Sequence, residues 1–306
     1  MRALASPASL KGVLSAREAA ALLAEGLRRG GAEAEELPIA DGGEGTAEVL
    51  GAHVREWVSV PDAFGRARQA PIRELADGTA VLESAEVIPL DPERLDPLAA
   101  SSRGLGQLIA QVQAASLLVC LGGTANVDGG AGMLAGLDSL PAPTTVLCDA
   151  LVPLGDAARL FAPQKGATPE QVELLESRLS SMVELAPFAE LQGAGAAGGL
   201  GAALASLGAE LVPGAQHVLR LLRFRERVRD SDLVVTGEGT VDMTTLRGKA
   251  PGEALSICRE EGVRCVVFGG RVLSELGGAE MLALSGDPSR ARDDLVALGE
   301  GLARAV

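Results

Sequence analysis

Four short apolar runs, each ending at a glycine or an acidic residue, constrain the fold of this chain more than any other feature. The runs are Leu117–Leu121, Thr145–Cys148, Leu233–Thr236 and Cys265–Phe268. Runs of this length and composition are typical of strands that are buried on both faces, as in a parallel sheet. Each run therefore predicts a buried strand whose carboxyl end opens into a loop.

Helical patterns alternate with these runs. A capping box at Ser15 precedes an amphipathic stretch that ends at Gly30, and a second capping box at Thr168 predicts a helix to about Val183. A further helix is predicted over Pro251–Glu261. This alternation indicates an α/β protein with a mainly parallel sheet, in which ligands bind beyond the carboxyl ends of the strands.

The composition argues against several classes of partner. A net charge of −14 disfavours nucleic acids and anionic membranes, and five Phe, one Trp and no Tyr leave few rings for stacking bases. The chain has no stretch of about 20 apolar residues that could cross a membrane, and no signal pattern, so we expect a cytoplasmic protein. Assembly into a homo-oligomer stays open.

Cysteine and histidine usage argues against a zinc site or a Ser-His-Asp triad. His53 and His217 are far apart and have no acidic or cysteine companion in a known spacing. The four cysteines show no metal-ligand spacing, and we expect buried free thiols.

The lysines are few and share one feature. Only three of the 27 basic residues are lysines, and each of these, Lys11, Lys165 and Lys249, has a glycine beside it. A compact ammonium group can enter a tight loop that a planar guanidinium cannot, and glycine lets the backbone approach a ligand. The pattern favours phosphate binding, with chance survival at surface positions as the alternative.

Two glycine-rich loops carry polar side chains. In the first, Asp41 and Glu44 lie among three glycines that precede Thr46, which suits Mg²⁺ coordination or orientation of a substrate hydroxyl. A helix-capping turn is the alternative. The second loop, 122–132, follows a predicted strand, and its backbone N–H groups could bind an anion while Asp128 binds a metal or a hydroxyl. Its alternative is a purely structural loop.

A third glycine-rich stretch, 192–201, matches the pattern G-x-G-x-x-G through Gly193, Gly195 and Gly198. No convincing strand precedes it, so dinucleotide binding is poorly supported. The stretch predicts either a helix start that receives phosphate or close packing of a helix.

The segment 236–249 combines the groups that phosphoryl transfer needs. A strand end delivers Glu238 and Asp242, and Lys249 follows at the start of a helix. The spacing is not that of a Walker A loop, because Met243 and Ala250 occupy key positions. Lys165 similarly precedes a predicted helix, where anions are favoured.

Together these motifs identify a family. The chain resembles the type I glycerate kinases, most specifically in Ala40–Thr46, Pro163–Ala167 and Thr236–Pro251. The resemblance implies phosphorylation of D-glycerate by ATP with Mg²⁺, giving 2-phosphoglycerate at a cleft between two α/β domains. One domain, 1–62 plus 228–306, would be flavodoxin-like with a mainly parallel sheet. The other, 63–227, would be an inserted domain of different topology.

Charge and position within these motifs predict four sets of site residues. The predicted catalytic residues are Lys11, Asp41, Asp242 and Lys249. The predicted substrate-binding residues are Ser9, Glu44, Asp128 and Glu238. The predicted cofactor-binding residues are Gly122, Gly123, Lys165, Gly195 and Gly198, and the predicted metal ligands are Asp41 and Glu238.

Several positions depart from the family pattern. Ala8 replaces an Asp, Val127 and Val152 replace Asn, and Thr244 replaces Gln. The chain is also shorter than typical members. A second hypothesis therefore stays open, in which the protein binds a small anion or nucleotide without turnover.

Overall fold

The structure is a computed structural model that describes residues 1–246 and 248–305. The described residues form eleven strands: β1 (Arg2–Pro7), β2 (Glu33–Glu36), β3 (His53–Pro61), β4 (Ala67–Glu74), β5 (Ala80–Glu83), β6 (Leu117–Leu121), β7 (Thr144–Cys148), β8 (Glu210–Pro213), β9 (Leu233–Val241), β10 (Arg264–Val272) and β11 (Glu280–Ala283).

The same residues form twelve α-helices: α1 (Ala16–Arg29), α2 (Thr46–Val49), α3 (Ser84–Val87), α4 (Arg103–Ile109), α5 (Ala131–Leu134), α6 (Ala157–Phe161), α7 (Pro169–Ser180), α8 (Ala196–Ser206), α9 (Gly214–Leu221), α10 (Phe224–Arg229), α11 (Ala250–Glu261) and α12 (Ala291–Arg304). Short 3-10 helices lie at Leu154–Asp156, Pro163–Lys165, Val183–Phe188 and Pro288–Arg290.

The chain divides into two compact units. The terminal unit comprises Met1–Asp41 and Ala215–Val306, and the inserted unit comprises Gly42–Gly214. The junctions differ from the predicted domain boundaries at 62/63 and 227/228. The domain boundaries at 62/63 and 227/228 stay a prediction.

The terminal unit contains a five-stranded sheet in the order β11-β10-β9-β1-β2, and all of its strand pairs are parallel. Counted within this unit alone, the order is 2-1-3-4-5, which is that of flavodoxin-like folds. The flavodoxin-like prediction is therefore confirmed.

Both faces of this sheet are buried. On β1, Ala3 and Ala5 pack into a cluster with Leu23 of α1, whereas Leu4 between them packs into a second cluster with Leu255 of α11. Successive side chains of a strand point to opposite faces, so a strand that is apolar at every position needs helices on both sides. This explains why the predicted strands contain continuous apolar runs and not alternating patterns.

The inserted unit contains a six-stranded mixed sheet in the order β3-β4-β5-β6-β7-β8. The first two pairings are antiparallel and the remaining three are parallel. Its topology thus differs from that of the terminal unit, as predicted. The parallel strands β5, β6 and β7 end at one edge, where the loops described below begin.

The predicted helix starts are confirmed at both capping boxes. Ser15 accepts a hydrogen bond from the Glu18 N–H, and Thr168 accepts one from the Gln171 N–H. The predicted extension of α7 to about Val183 is wrong, because the helix ends at Ser180. Val183 is 79% exposed, so no burial of an apolar side chain favours continuing the helix there.

All four cysteines are buried free thiols, as predicted. Within residues 1–246 and 248–305, no helix is long and apolar enough to span a membrane.

Candidate active site

The carboxyl ends of β1 and β9 lie side by side in the terminal unit. Pro7 pairs with Gly237 in the register of the sheet, so the loop that holds Lys11 and the loop that begins at Glu238 leave the same edge. A side chain at Gly239 would come within 3.7 Å of the Lys11 backbone nitrogen, which shows that the two loops pass close together. This edge is where parallel sheets bind ligands.

Glu238 is the centre of a polar cluster at this edge. The Thr245 hydroxyl donates to its Oε1 at 2.8 Å, and Lys249 Nζ lies 3.3 Å from its Oε2. Burial raises the pKa of Glu238, Lys249 and Thr245 lower it, and the charge of Asp41 raises it. The side chains of Lys249 and Glu238 are 31% and 15% exposed, so a ligand can reach the pair from solvent.

Lys249 also occupies the N-cap position of α11. The first N–H groups of a helix attract anions, and a lysine there adds a full positive charge. The preceding loop packs directly on the first turn of this helix, because a side chain at Gly252 would lie 2.0 Å from the Thr245 carbonyl oxygen. Arg247 of this segment lies outside the described residues.

Asp242 is fixed by the turn that follows it. Its Oδ1 accepts hydrogen bonds from both the N–H and the hydroxyl of Thr244, and its own N–H donates to the Thr245 hydroxyl at 3.2 Å. The hydrogen bonds from Thr244 lower the pKa of Asp242. Thr244, which stands where the family usually has Gln, thus keeps a polar contact in this loop.

Asp41 and Glu238 are the two carboxylates predicted to hold a Mg²⁺ ion bound with a nucleotide. Among the described residues, no group of three or more His, Cys, Asp or Glu side chains could hold a metal ion. Mg²⁺ in phosphoryl-transfer sites needs only one or two carboxylates, since phosphates and waters complete its octahedron. Asp41 lies close enough to Glu238 for its charge to act on the second carboxylate.

In the inserted unit, a pair of glycines follows β6. A side chain at Gly122 would lie 2.5 Å from Oδ2 of Asp149, and one at Gly123 would lie 3.6 Å from Oε2 of Glu44. Gly123 has a φ of +64°, a conformation that glycine adopts without strain. The loop that holds Glu44 therefore lies against Gly122 and Gly123, and their roles in substrate and cofactor binding stay predictions.

Two residues at the end of β5 hold these loops and were missed by sequence reasoning. Glu83 accepts hydrogen bonds from backbone N–H groups of loop 42–47, whose last two residues begin α2, and Ser84 binds the backbone of Gly122. The only signal in the sequence is a carboxylate and a hydroxyl directly after the apolar run Ala80–Leu82.

Asp128 organises the loop in which it lies. It accepts hydrogen bonds from the N–H and hydroxyl of Ser102, from Asn126 Nδ2, and from the N–H groups of Gly130 and Gly132. Both carboxylate oxygens are therefore occupied by donors of the same unit. The role of Asp128 in substrate binding stays a prediction.

Lys165 lies beneath the same loop. It is only 3% exposed, and its Nζ donates to the Asn126 carbonyl oxygen at 2.7 Å and to the Thr124 hydroxyl at 3.4 Å. Burial lowers the pKa of Lys165 to about 8, although the charges of Asp149 and Asp128 raise it. Its amine thus supports the loop backbone from inside the protein.

The stretch 193–201 packs against loop 122–132. A side chain at Gly198 would lie 2.3 Å from the Asn126 carbonyl oxygen, and one at Gly195 would lie 2.5 Å from the Pro153 carbonyl oxygen. These distances favour the packing interpretation that the sequence left open. Phosphate binding by Gly195 and Gly198 stays a prediction.

The predicted site residues thus belong to two separate sets. The terminal unit holds Ser9, Lys11, Asp41, Glu238, Asp242 and Lys249. The inserted unit holds Glu44, Gly122, Gly123, Asp128, Lys165, Gly195 and Gly198.

Comparison with a family model matches nearly the whole chain. Residues 3–140 and 138–285 match the model of the glycerate kinase family.

Similar sequences and a similar structure agree with this match. The chain is 34% identical to glycerate 2-kinase of Escherichia coli, in an alignment that covers 90% of this chain and 87% of the relative. It is 35% identical to glycerate kinase of Bacillus subtilis, covering 82% of this chain and 80% of the relative. A crystal structure assigned as glycerate kinase 2 of Salmonella typhimurium superposes with a TM-score of 0.80 at 30% identity, covering 100% of this chain and 98% of the other.

Proposed function

Since this chain belongs to the glycerate kinase family and is a kinase, we propose that it transfers the γ-phosphoryl group of ATP to D-glycerate, giving 2-phosphoglycerate. The observation that best supports this proposal is the Glu238, Thr245 and Lys249 cluster at the edge of a parallel sheet. It combines an accessible cation with a carboxylate, as a nucleotide with its metal requires. The inter-domain location of the site and a cytoplasmic location of the protein stay predictions.

Lys249 would bind the transferring phosphates of ATP. Its ammonium is partly exposed beside the first turn of α11, so charge and helix dipole act on the same anion. In the free enzyme Lys249 pairs with Glu238, which keeps the lysine in place before the nucleotide arrives. Gly123 would contribute its backbone N–H group to the nucleotide, and Gly122, whose N–H donates to the Ser84 hydroxyl, would let the loop backbone approach it closely.

Asp41 and Glu238 would hold Mg²⁺. When bound, this ion would neutralise charge on the phosphate oxygens during transfer. Burial raises the pKa of Glu238, and a cation beside it would favour the ionised form of this carboxylate.

The hydroxy acid would be bound by the remaining predicted residues. Lys11 is exposed on its loop and would pair with the substrate carboxylate, with Ser9 beside it. Glu44 and Asp242 would accept hydrogen bonds from substrate hydroxyls. Because Thr244 lowers the pKa of Asp242, this carboxylate is ionised at neutral pH and can accept such a bond.

The proposal is tested by turnover with purified protein. ATP, Mg²⁺ and D-glycerate should give ADP in a coupled assay, and phosphorus NMR should identify the product as 2-phosphoglycerate and not 3-phosphoglycerate. Lys249→Ala serves as the inactive control. No ADP release with D-glycerate or any other small hydroxy acid would sink the proposal, whereas release of the 3-phosphate would correct only the position of transfer.

The alternative, binding without turnover, is motivated by the apolar replacements at Ala8, Val127 and Val152. One of them, Val127, is 1% exposed and belongs to the core of the inserted unit, where an apolar side chain packs well. Ala8 packs against the core of the terminal unit, and Val152 lies beside Gly195. The alternative predicts saturable ATP binding by calorimetry together with an absence of ADP release.

A further inference from the structure

Two adjacent residues, Glu83 and Ser84, lie where β5 ends and α3 begins, and both are buried. Glu83 is 5% exposed and Ser84 is fully buried. Glu83 Oε2 accepts the N–H of Gly45 at 2.9 Å, and its Oε1 accepts the N–H of Ala47 at 2.6 Å. One side chain therefore holds the loop that contains Glu44 at two points.

Ser84 holds the other glycine-rich loop. Its hydroxyl donates to the Gly122 carbonyl oxygen at 3.1 Å and accepts the Gly122 N–H at 3.2 Å. The segment after Ser84 continues this pairing, because the Leu90 N–H donates to the Gly123 carbonyl oxygen at 2.8 Å. The two loops are thus attached to neighbouring residues of a single strand end.

We propose that Glu83 and Ser84 are positioning residues that set the two glycine-rich loops of the inserted unit against each other, and that Glu83 does so as a carboxylate. The kinetic consequences rest on the proposed function, since they assign substrate to the loop with Glu44 and ATP to the loop with Gly122. The attachment itself rests only on the hydrogen bonds above.

The ionised form of Glu83 matters because each of its oxygens faces a backbone donor. A protonated carboxyl group would turn one oxygen into a hydroxyl, which would point its hydrogen toward an N–H group or leave that N–H poorly paired. A buried N–H without an acceptor is costly. Protonation should therefore release one of the two attachments of loop 42–47.

Burial of Glu83 is the main reason that this protonation falls near neutral pH. Burial raises the pKa of Glu83 to about 7; the two N–H groups oppose this rise, Glu86 on α3 adds to it, and Arg73 on β4 opposes it. Arg73 is also acted on by Glu48 of α2 and bound by Glu86. A titration between pH 6 and 8 should thus change how firmly loop 42–47 is held.

Hydrogen exchange of individual backbone amides tests the attachment without any assay of activity. In the wild type, protection of the Gly45 and Ala47 amides, corrected for the intrinsic pH dependence of exchange, should fall roughly tenfold from pH 8 to pH 6. Glu83→Gln, whose amide presents one acceptor and one donor, should show the lower protection at both pH values. The matched control Glu93→Gln, an exposed carboxylate of the same unit, should behave as the wild type.

Equal protection in wild type and Glu83→Gln at pH 8 would overturn the proposal, and so would pH dependence that persists unchanged in Glu83→Gln. Unfolding curves of each variant establish that the comparison is made between folded proteins.

Kinetics then separate positioning from general support of the fold. Glu83→Gln should raise KM for D-glycerate several-fold more than KM for ATP, and Ser84→Ala should do the reverse. If each variant raised the KM for D-glycerate and the KM for ATP equally, the assignment of one loop to Glu83 and the other to Ser84 would be contradicted. If the wild type turns over no hydroxy acid, the proposed function fails, while the exchange experiment still decides whether Glu83 holds the loop.

Discussion

Lys165 and Lys249 share one sequence signal, a lysine next to a glycine, but the structure places them in opposite environments. Lys165 is 3% exposed and donates to a backbone carbonyl and a hydroxyl, both neutral. Lys249 has a side chain that is 31% exposed and lies beside the carboxylate of Glu238. Lys165 supports a loop from within the protein, and Lys249 presents its charge at the edge of the sheet where the parallel strands end.

A lysine beside a glycine thus lies in a tight loop in both cases, while phosphate binding by Lys165 stays a prediction. A buried ammonium must give up its hydration, which for Lys165 lowers the pKa to about 8. A partly exposed ammonium keeps its charge available for a ligand. Two predictions test this division, and a third tests the backbone strain at Ala197 in the region around Lys165; they follow from the largest expected effect to the smallest.

Lys249→Ala should lower kcat/KM for phosphoryl transfer about 10²- to 10³-fold, because a charge that stabilises the transferring phosphates is lost. Its free energy of unfolding should change by no more than about 1 kcal/mol, since the ion pair with Glu238 is partly exposed. Lys249→Arg keeps the charge but not the compact shape, and should recover only part of the activity. Unchanged turnover in Lys249→Ala would remove this lysine from the site.

Lys165→Met should reveal the cost of burying an ammonium group. Burial lowers the pKa of Lys165 from 10.5 to about 8, so between these values the unfolded chain binds a proton that the folded protein has released. Stability of the wild type should therefore rise with pH over this window, by about 3 kcal/mol relative to Lys165→Met. The measurement is urea unfolding at pH 8 and at successive steps toward pH 10.5.

A matched control for this experiment is Arg159→Met, which removes a nearby exposed cation that stays charged over the whole window. The stability of this variant should depend on pH as that of the wild type does. The prediction fails if the free energy of unfolding depends on pH in the same way in the wild type and in Lys165→Met.

Ala197→Gly should give a smaller, stabilising effect in the region around Lys165. Ala197 has a φ of +49°, a left-handed conformation that is unfavourable for alanine, and its carbonyl oxygen accepts a hydrogen bond from Asn126. Glycine at this position should raise the free energy of unfolding by about 1 kcal/mol. Ala202→Gly, in the regular part of α8, should lower it by a similar amount, and stabilisation by both variants would argue against strain at Ala197.

The sequence predicted the fold well where the information is local. Continuous apolar runs predict strands buried on two faces, and β6 matches its predicted bounds of Leu117–Leu121. Capping boxes at Ser15 and Thr168 predict helix starts because they satisfy orphan N–H groups within four residues. By contrast, the helix end beyond Ser180 depends on tertiary burial, which no local pattern encodes.

The candidate site was predicted only in part, and for a related reason. The residues Glu238, Thr245 and Lys249 are close in sequence, so a motif could identify them together. The attachment of Gly45 and Ala47 to Glu83 joins positions far apart in the chain. The burial of Lys165 likewise depends on loop 122–132, which the sequence gives no means to place above it.

Amine labelling of the native protein tests the contrast between Lys165 and Lys249 most directly, because the chain has only three lysines and mass spectrometry can follow each one. We expect Lys249 to react readily and to be protected at least about tenfold by MgATP. Lys165 is buried and should react only as fast as the protein opens, and opening also removes the burial that lowers its pKa. Labelling of native Lys165 at the rate of Lys249, or labelling of Lys249 that ignores MgATP, would contradict this account.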